Sequence, residues 1–127
     1  MIALDTSVLI AFYNDYKHPH VDVVAERILT DRLILPPLVL AEFLSHPDAK
    51  KIHVDQTLML RLLDIKDGFW KRAGLMRAYL YTKGVKPKLP DTLIAQSCID
   101  HDVPLLTCDG DFSAFAEFCG LKLYTAL

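Results

Sequence analysis

Four carboxylates stand where ordinary roles explain them least: Asp5, Glu42, Asp91 and Asp109. Asp5 ends the apolar run Ile2-Ala3-Leu4, and Asp109 follows Pro104-Leu105-Leu106-Thr107 at a distance of two residues. Asp91 opens an amphipathic stretch through Ile94, Ala95, Cys98 and Ile99, directly ahead of that second run. Glu42 sits inside Leu38-Val39-Leu40-Ala41-Glu42-Phe43-Leu44, the most apolar helical stretch of the chain. Each has a plain alternative. Asp5 and Asp91 would serve as helix N-caps, contributing about 1 kcal/mol apiece. Asp109-Gly110 would make a tight turn, and Glu42 would be a lone charge at the edge of a core, which costs several kcal/mol or stays protonated. Taken together, these alternatives leave the placement at strand ends unexplained. Two charges about 5 Å apart repel by about 3 kcal/mol at an effective dielectric near 20, so a fold gathers several only around positive charge. An all-oxygen donor set suits a hard cation, Mg²⁺ or Mn²⁺. Such an ion polarises a phosphoryl oxygen, acidifies water and stabilises a leaving oxygen. The chemistry implied is phosphodiester hydrolysis.

The scaffold that would position these groups alternates short strands with helices. Apolar runs predict strands at Ile2–Leu4, Leu33–Leu35, near Leu63–Ile65, at Pro104–Thr107 and, as a fifth, at Leu121–Tyr124. Helical spacing predicts helices from Thr6 through Tyr13, from Val21 to Leu29, and from Pro36-Pro37 to about Leu44, because proline suits a first turn. Leu58, Leu62 and Leu63 read as a further helix, and His46 to Asp55 as a polar, basic loop. Phe69, Ala73, Met76 and Leu80 mark a long amphipathic helix stopped by Gly84. Lys86 to Pro90 is an extended linker, and Asp91 caps the helix that follows it. The expected fold is therefore α/β, with a central parallel sheet of four to five short strands covered by helices on both faces. Such sheets place their sites beyond the carboxyl ends of the strands, where Asp5 and Asp109 stand.

Composition narrows the class further. The chain has 127 residues, 52% hydrophobic and 24% charged, with a formal net charge of −2. That length fits one domain with a substantial core, and the apolar fraction excludes disorder. No apolar run approaches the roughly 18 residues of a membrane span, and Met1-Ile2-Ala3-Leu4 meets Asp5 at once, unlike a signal peptide. A soluble, cytoplasmic protein is expected. Cys98, Cys108 and Cys119 show no C-x-x-C pair and read as buried or half-buried thiols; the five His read as loop or surface residues without metal-ligand spacing. Charge is unevenly spread: residues 1–44 carry −3, residues 45–88 carry +6 and residues 89–127 carry −5. The basic middle offers Lys50, Lys51, Lys71, Arg72, Arg77, Lys83, Lys86 and Lys88 for contact with nucleic-acid phosphates. Lys86 and Lys88 lead straight to Asp91. Trp70, Tyr79 and Tyr81 flank the long helix's apolar stripe and are candidates for a partner surface.

The motifs in order carry a family resemblance. Leu4-Asp5-Thr6-Ser7-Val8-Leu9-Ile10, Leu40-Ala41-Glu42, Leu89-Pro90-Asp91-Thr92-Leu93-Ile94-Ala95 and Leu105-Leu106-Thr107-Cys108-Asp109-Gly110-Asp111-Phe112 resemble PIN-domain ribonucleases over the whole chain. In length and motif order the likeness is to the VapC-type toxins of toxin–antitoxin systems. The resemblance implies a PIN-like three-layer sandwich with Asp5, Glu42, Asp91 and Asp109 as catalytic, metal-binding residues. It implies supporting hydroxyls at Thr6, Ser7 and Thr107, with Asp111 as a second candidate beside Asp109, capping the following helix or lying behind the ligands. It further implies Mg²⁺ or Mn²⁺, an RNA substrate, a homodimer and a small antitoxin. Gln96 stands where a smaller residue is more usual, and no ligand is lost. A housekeeping RNA-processing enzyme without an antitoxin and a non-catalytic binding module are the alternatives. A haloacid-dehalogenase-type phosphatase would need a second Asp where Ser7 stands, and a receiver domain's signature is absent.

Overall fold

The computed structural model describes residues 1–125; positions 126 and 127 lie outside the described residues. In chain order it contains β1 (Ile2–Leu4), α1 (Thr6–Tyr13), α2 (Pro19–Arg27), β2 (Leu33–Leu35), α3 (Pro37–Leu44), α4 (Lys51–Leu58) and β3 (Arg61–Leu62). After these come α5 (Phe69–Thr82), α6 (Leu89–Asp100), β4 (Leu105–Leu106), a 3-10 turn (Gly110–Phe112) and α7 (Ser113–Cys119). The four strands form one parallel sheet in the order β3-β2-β1-β4. β1 and β2 are buried throughout. A strand covered on both faces has no polar positions to alternate with, which is why these read as continuous apolar runs. Among the described residues no helix is long and apolar enough to cross a membrane.

The order of the strands decides where a site can form. The chain builds outward from β1 to β2 and β3, then returns to add β4 on the opposite side of β1. β1 and β4 therefore flank the switch point, and it is beyond the carboxyl ends of such strands that open parallel sheets place their sites. The Asp5 backbone N–H donates to Leu106 O at 3.0 Å, so the two ends are level. α6 joins β4 through a short connection and runs back along it, bringing its own first turn to the same edge of the sheet.

Several sequence expectations need correction. The fifth strand is reduced to a single parallel bridge, Leu105 to Leu123, held by Leu105 N–H to Lys122 O and Tyr124 N–H to Leu105 O, each 2.8 Å. β3 lies at Arg61–Leu62 instead of Leu63–Ile65, so Leu62 is in a strand and not in a helix. The expected loop from His46 to Asp55 contains most of α4. Only Thr57 of that helix is buried, so it lacks the apolar stripe by which helices are recognised. The exposed Lys51–Asp55 pair, 2.9 Å apart at i,i+4, gives it weak local support. α6 begins at Leu89 with Pro90 in its first turn, two residues ahead of Asp91, and Lys88 is the N-cap.

The core gathers both faces of the central strands with Val8, Leu9, Leu80, Ile94, Phe112 and Phe115. Leu106 is fully buried and is the last strand residue before the loop carrying Thr107 and Asp109. Leu106→Ala is expected to lower stability by about 3 kcal/mol, the usual cost of an emptied leucine site. Urea denaturation of the two proteins checks this, and a loss under 1 kcal/mol would show that β4 is not part of the cooperative core.

Candidate active site

Asp5 ends β1 and takes the N-cap position of α1, yet its side chain makes no capping bond. It is 4% exposed, and its Oδ2 accepts hydrogen bonds from Ser7 Oγ and Thr107 Oγ1, both 2.7 Å. The polarity of this cluster is fixed by proton counting. Cys108 N–H donates to Ser7 Oγ at 3.1 Å and Asp109 N–H to Thr107 Oγ1 at 2.9 Å. Each hydroxyl has one proton, and each gives it to Asp5 while accepting from the loop backbone. The 3.1 Å approach of Ser7 Oγ to Thr107 Oγ1 is then contact without a shared proton. The loop after β4 is thereby tied to the end of β1.

Asp91 lies in the first turn of α6, half-buried, where the helix dipole favours negative charge. Desolvation is the largest influence on its carboxyl and the charges of Asp5, Asp109 and Asp111 add to it, pushing the pKa up to about 6 against the pull of Lys88. The three aspartates thus surround Asp91 closely enough to be felt. Asp109 caps the 3-10 turn by accepting from Asp111 N–H at 2.9 Å. The capping role expected of Asp111 therefore falls to Asp109, and Asp111 is exposed.

Glu42 stands half-buried at the edge of the core, with Ala41 and Leu44 exposed, but it is not a lone charge. Its Oε1 accepts from Thr6 Oγ1 at 2.7 Å, which links α3 to the residue after Asp5. Among the described residues, no three of these carboxylates bring oxygens within 4.8 Å of one another. The donor set fits a hard divalent cation: it is all oxygen, and burial together with the neighbouring carboxylates pushes the Asp91 carboxyl up, a strain that a cation would relieve.

Of the basic candidates, two are structural. Arg72 Nε and Nη2 grip Asp100 Oδ1 and Oδ2 at 3.0 and 2.6 Å, joining α5 to α6, and Arg77 Nε donates to Pro87 O at 2.9 Å. Buried Gln96 donates to the same Asp100 oxygen at 2.8 Å, which accounts for its size. Lys83, Lys86 and Lys88 are exposed. The Lys83 ammonium sits over the Tyr79 and Phe118 rings, 5.5 and 5.9 Å from their centroids.

Two further expectations fail near this loop. Cys108 is exposed, not buried. His20 is tied to the site by its Nδ1, 2.8 Å from Thr107 O. The signal available in the sequence was His18-Pro19-His20, two imidazoles held at a fixed short spacing, and it carried no indication of a partner so distant in the chain.

An open parallel α/β sheet with acidic residues at its switch point defines the class of the molecule. Residues 2–118 match the PIN domain family, and the chain belongs to it. Among curated protein sequences there is no match. Among solved structures, the chain resembles VapBC2 from Rickettsia felis bound to a promoter DNA fragment, with TM-score 0.74, 21% identity and 98% of each chain covered. It also resembles VapBC-1 from nontypeable Haemophilus influenzae, with TM-score 0.73, 20% identity and coverage of 99% and 98%. A third is Mycobacterium tuberculosis VapC20, a Sarcin-Ricin loop cleaving toxin, with TM-score 0.68, 17% identity and coverage of 96% and 99%.

The Asp91 carboxyl titrates near 6 in the folded chain and near 3.9 when unfolded. The native state then holds the extra proton between those values, and stability falls as pH rises from about 4 to about 6. In metal-free buffer Asp91→Asn is expected to be more stable than the parent at pH 7, by about 1 kcal/mol after allowance for solvent screening. The gain should vanish by about pH 4. Urea titrations at both pH values measure it, and an Asn variant weaker at pH 7 would contradict the crowding of charge around Asp91.

Proposed function

We propose that this chain is a metal-dependent endoribonuclease, the toxin of a type II toxin–antitoxin module. The observation that carries the reading is the burden of negative charge on Asp91 from Asp5, Asp109 and Asp111 at the switch point of the sheet. Family membership and the Sarcin-Ricin loop cleaving toxin among the structural neighbours support it. Asp5, Glu42, Asp91 and Asp109 would hold Mg²⁺ or Mn²⁺, which when bound polarises the scissile phosphate and acidifies the attacking water. Ser7 and Thr107 hold and aim the Asp5 carboxylate, since their protons are committed to it. Thr6 holds Glu42 toward the same edge. Lys88, whose charge bears on Asp91, and the exposed Lys86 and Lys83 near it in the chain offer phosphate contacts.

The VapBC complexes among the neighbours support a small antitoxin as partner. A basic segment laid against the acidic edge would complement it electrostatically. Homodimerisation and a cytoplasmic location belong to the same reading.

The decisive assay is cleavage of a panel of labelled tRNAs and structured RNAs with Mg²⁺ or Mn²⁺. Cuts at discrete sites are expected, lost with EDTA and reduced at least 100-fold in Asp5→Asn, as for loss of a group acting directly on the transition state. Equal cleavage by the folded Asn variant would remove Asp5 from the chemistry. Mn²⁺ should also raise the melting temperature of the parent while barely moving that of Asp91→Asn, by linkage of binding to folding. Equal shifts would take Asp91 out of the metal site and favour a non-catalytic binding module.

A further inference from the structure

On the far side of the loop that carries Asp109, the fold assembles donors of a different kind. His18 and His20 come from the start of α2, and Cys108 stands between Thr107 and Asp109. Ligand atoms of these three side chains all lie within 4.8 Å of one another. The two rings meet edge-on with centroids 4.8 Å apart. Thr107 O can only accept a hydrogen bond, so the proton of His20 is on Nδ1 and Nε2 keeps its lone pair. A ring oriented by a bond from its other nitrogen to a carbonyl is the usual support of a metal-bound imidazole. The three side chains open onto a shallow cleft of about 300 Å³ that Gly110 and Tyr124 also line.

We propose that His18, His20 and Cys108 form a second metal site, separate from the carboxylate centre, that takes a borderline transition metal, Zn²⁺ foremost. Two imidazoles and a thiolate are the donor types zinc prefers, and hard Mg²⁺ does not compete for them. Zinc bonds of about 2.0–2.1 Å to nitrogen and 2.3 Å to sulfur put tetrahedral donors roughly 3.3–3.7 Å apart. Rotation of the exposed His18 and Cys108 side chains closes the remaining ångström or so. His18 then gives up the bond its Nδ1 accepts from His20 N–H at 3.0 Å. The Cys108 thiol passes its proton to solvent as the sulfur coordinates. Solvent completes the fourth position. A metal there joins α2 to the loop between Thr107 and Asp109, and this assignment stands apart from the nuclease reading.

Cobalt(II) titration of the untagged, reduced chain tests the site, because a thiolate ligand produces an intense charge-transfer band. One equivalent of Co²⁺ is expected to develop that band with a tetrahedral d–d envelope, and Zn²⁺ should bleach both. Cys108→Ser should lose the band, and His20→Gln should weaken binding at least tenfold. A chain carrying both Glu42→Gln and Asp91→Asn, neither of which holds the loop that carries Cys108, should keep the band in full. Absence of the band in the parent overturns the proposal. Its survival in Cys108→Ser, through Cys98 or Cys119, or its loss in the chain carrying Glu42→Gln and Asp91→Asn, does so equally.

Discussion

The carboxyl edge of the sheet depends on how one buried anion is held. Asp5 is almost wholly removed from solvent, and an ionised carboxylate there without partners would cost several kcal/mol. Two hydroxyls answer that cost, each contributing a charge-assisted hydrogen bond of roughly 1.5–3 kcal/mol. Because Ser7 and Thr107 spend their only protons on Asp5, their oxygens must accept, and the acceptable donors are the backbone N–H groups of Cys108 and Asp109. One charge therefore dictates the path of the loop after β4. Alanine or valine at either hydroxyl position would leave the carboxylate short of a donor and a loop N–H short of an acceptor. The supporting hydroxyls are as much a part of the edge as the acids.

The second acid is positioned from farther away. Asp91 sits where the first turn of α6 reaches the edge, and α6 is fixed against α5 by the two-pronged grip of Arg72 on Asp100, with Gln96 on the same carboxylate. The Arg72 guanidinium holds the Asp100 carboxyl below its usual range, whereas burial and the neighbouring acids push Asp91 the other way. The start of α5 is shaped around that arginine. Gly68 has φ +81°, and a Cβ built there would come within 2.6 Å of Arg72 Nη1, which itself donates to Asp67 O. Glycine is required both for the left-handed backbone and for the close approach. Arg77 on Pro87 O fixes the linker from α5 into α6.

What was legible in the sequence follows from how locally each feature is encoded. β1, β2 and the α1, α3 and α5 helices were readable because burial on a strand or a stripe leaves an unbroken apolar signature. The expected parallel sheet then put Asp5 and Asp109 at the carboxyl ends of its strands; the switch point between β1 and β4 came only with the strand order. α4 was not readable: its one buried residue is a threonine. The position of Glu42 at the edge of the core was legible, but its partner Thr6 was not, because the two lie 36 residues apart in the chain. Arg72 and Arg77 looked like a basic surface because their partners, Asp100 and Pro87, lie in another element. The meeting of His18 and His20 with Cys108 is wholly tertiary, and no spacing along the chain announces it.

The loop from Thr107 to Asp109 shows how two chemistries can share three residues. Backbone near the extended region, as at Asp109 with φ −106° and ψ 127°, sends successive side chains to opposite sides. Thr107 reaches Asp5 and the Asp109 charge bears on Asp91, while Cys108 between them meets the two histidines. The inner side is all oxygen and rich in negative charge, suited to a cation that keeps much of its water. The outer side offers nitrogen and sulfur, suited to a cation that exchanges water for directed bonds. Selectivity between the two follows from donor type alone. A metal on the outer side would hold in place the same peptide N–H groups that the Asp5 hydroxyls hold from within, so occupation of one side would stiffen the geometry of the other.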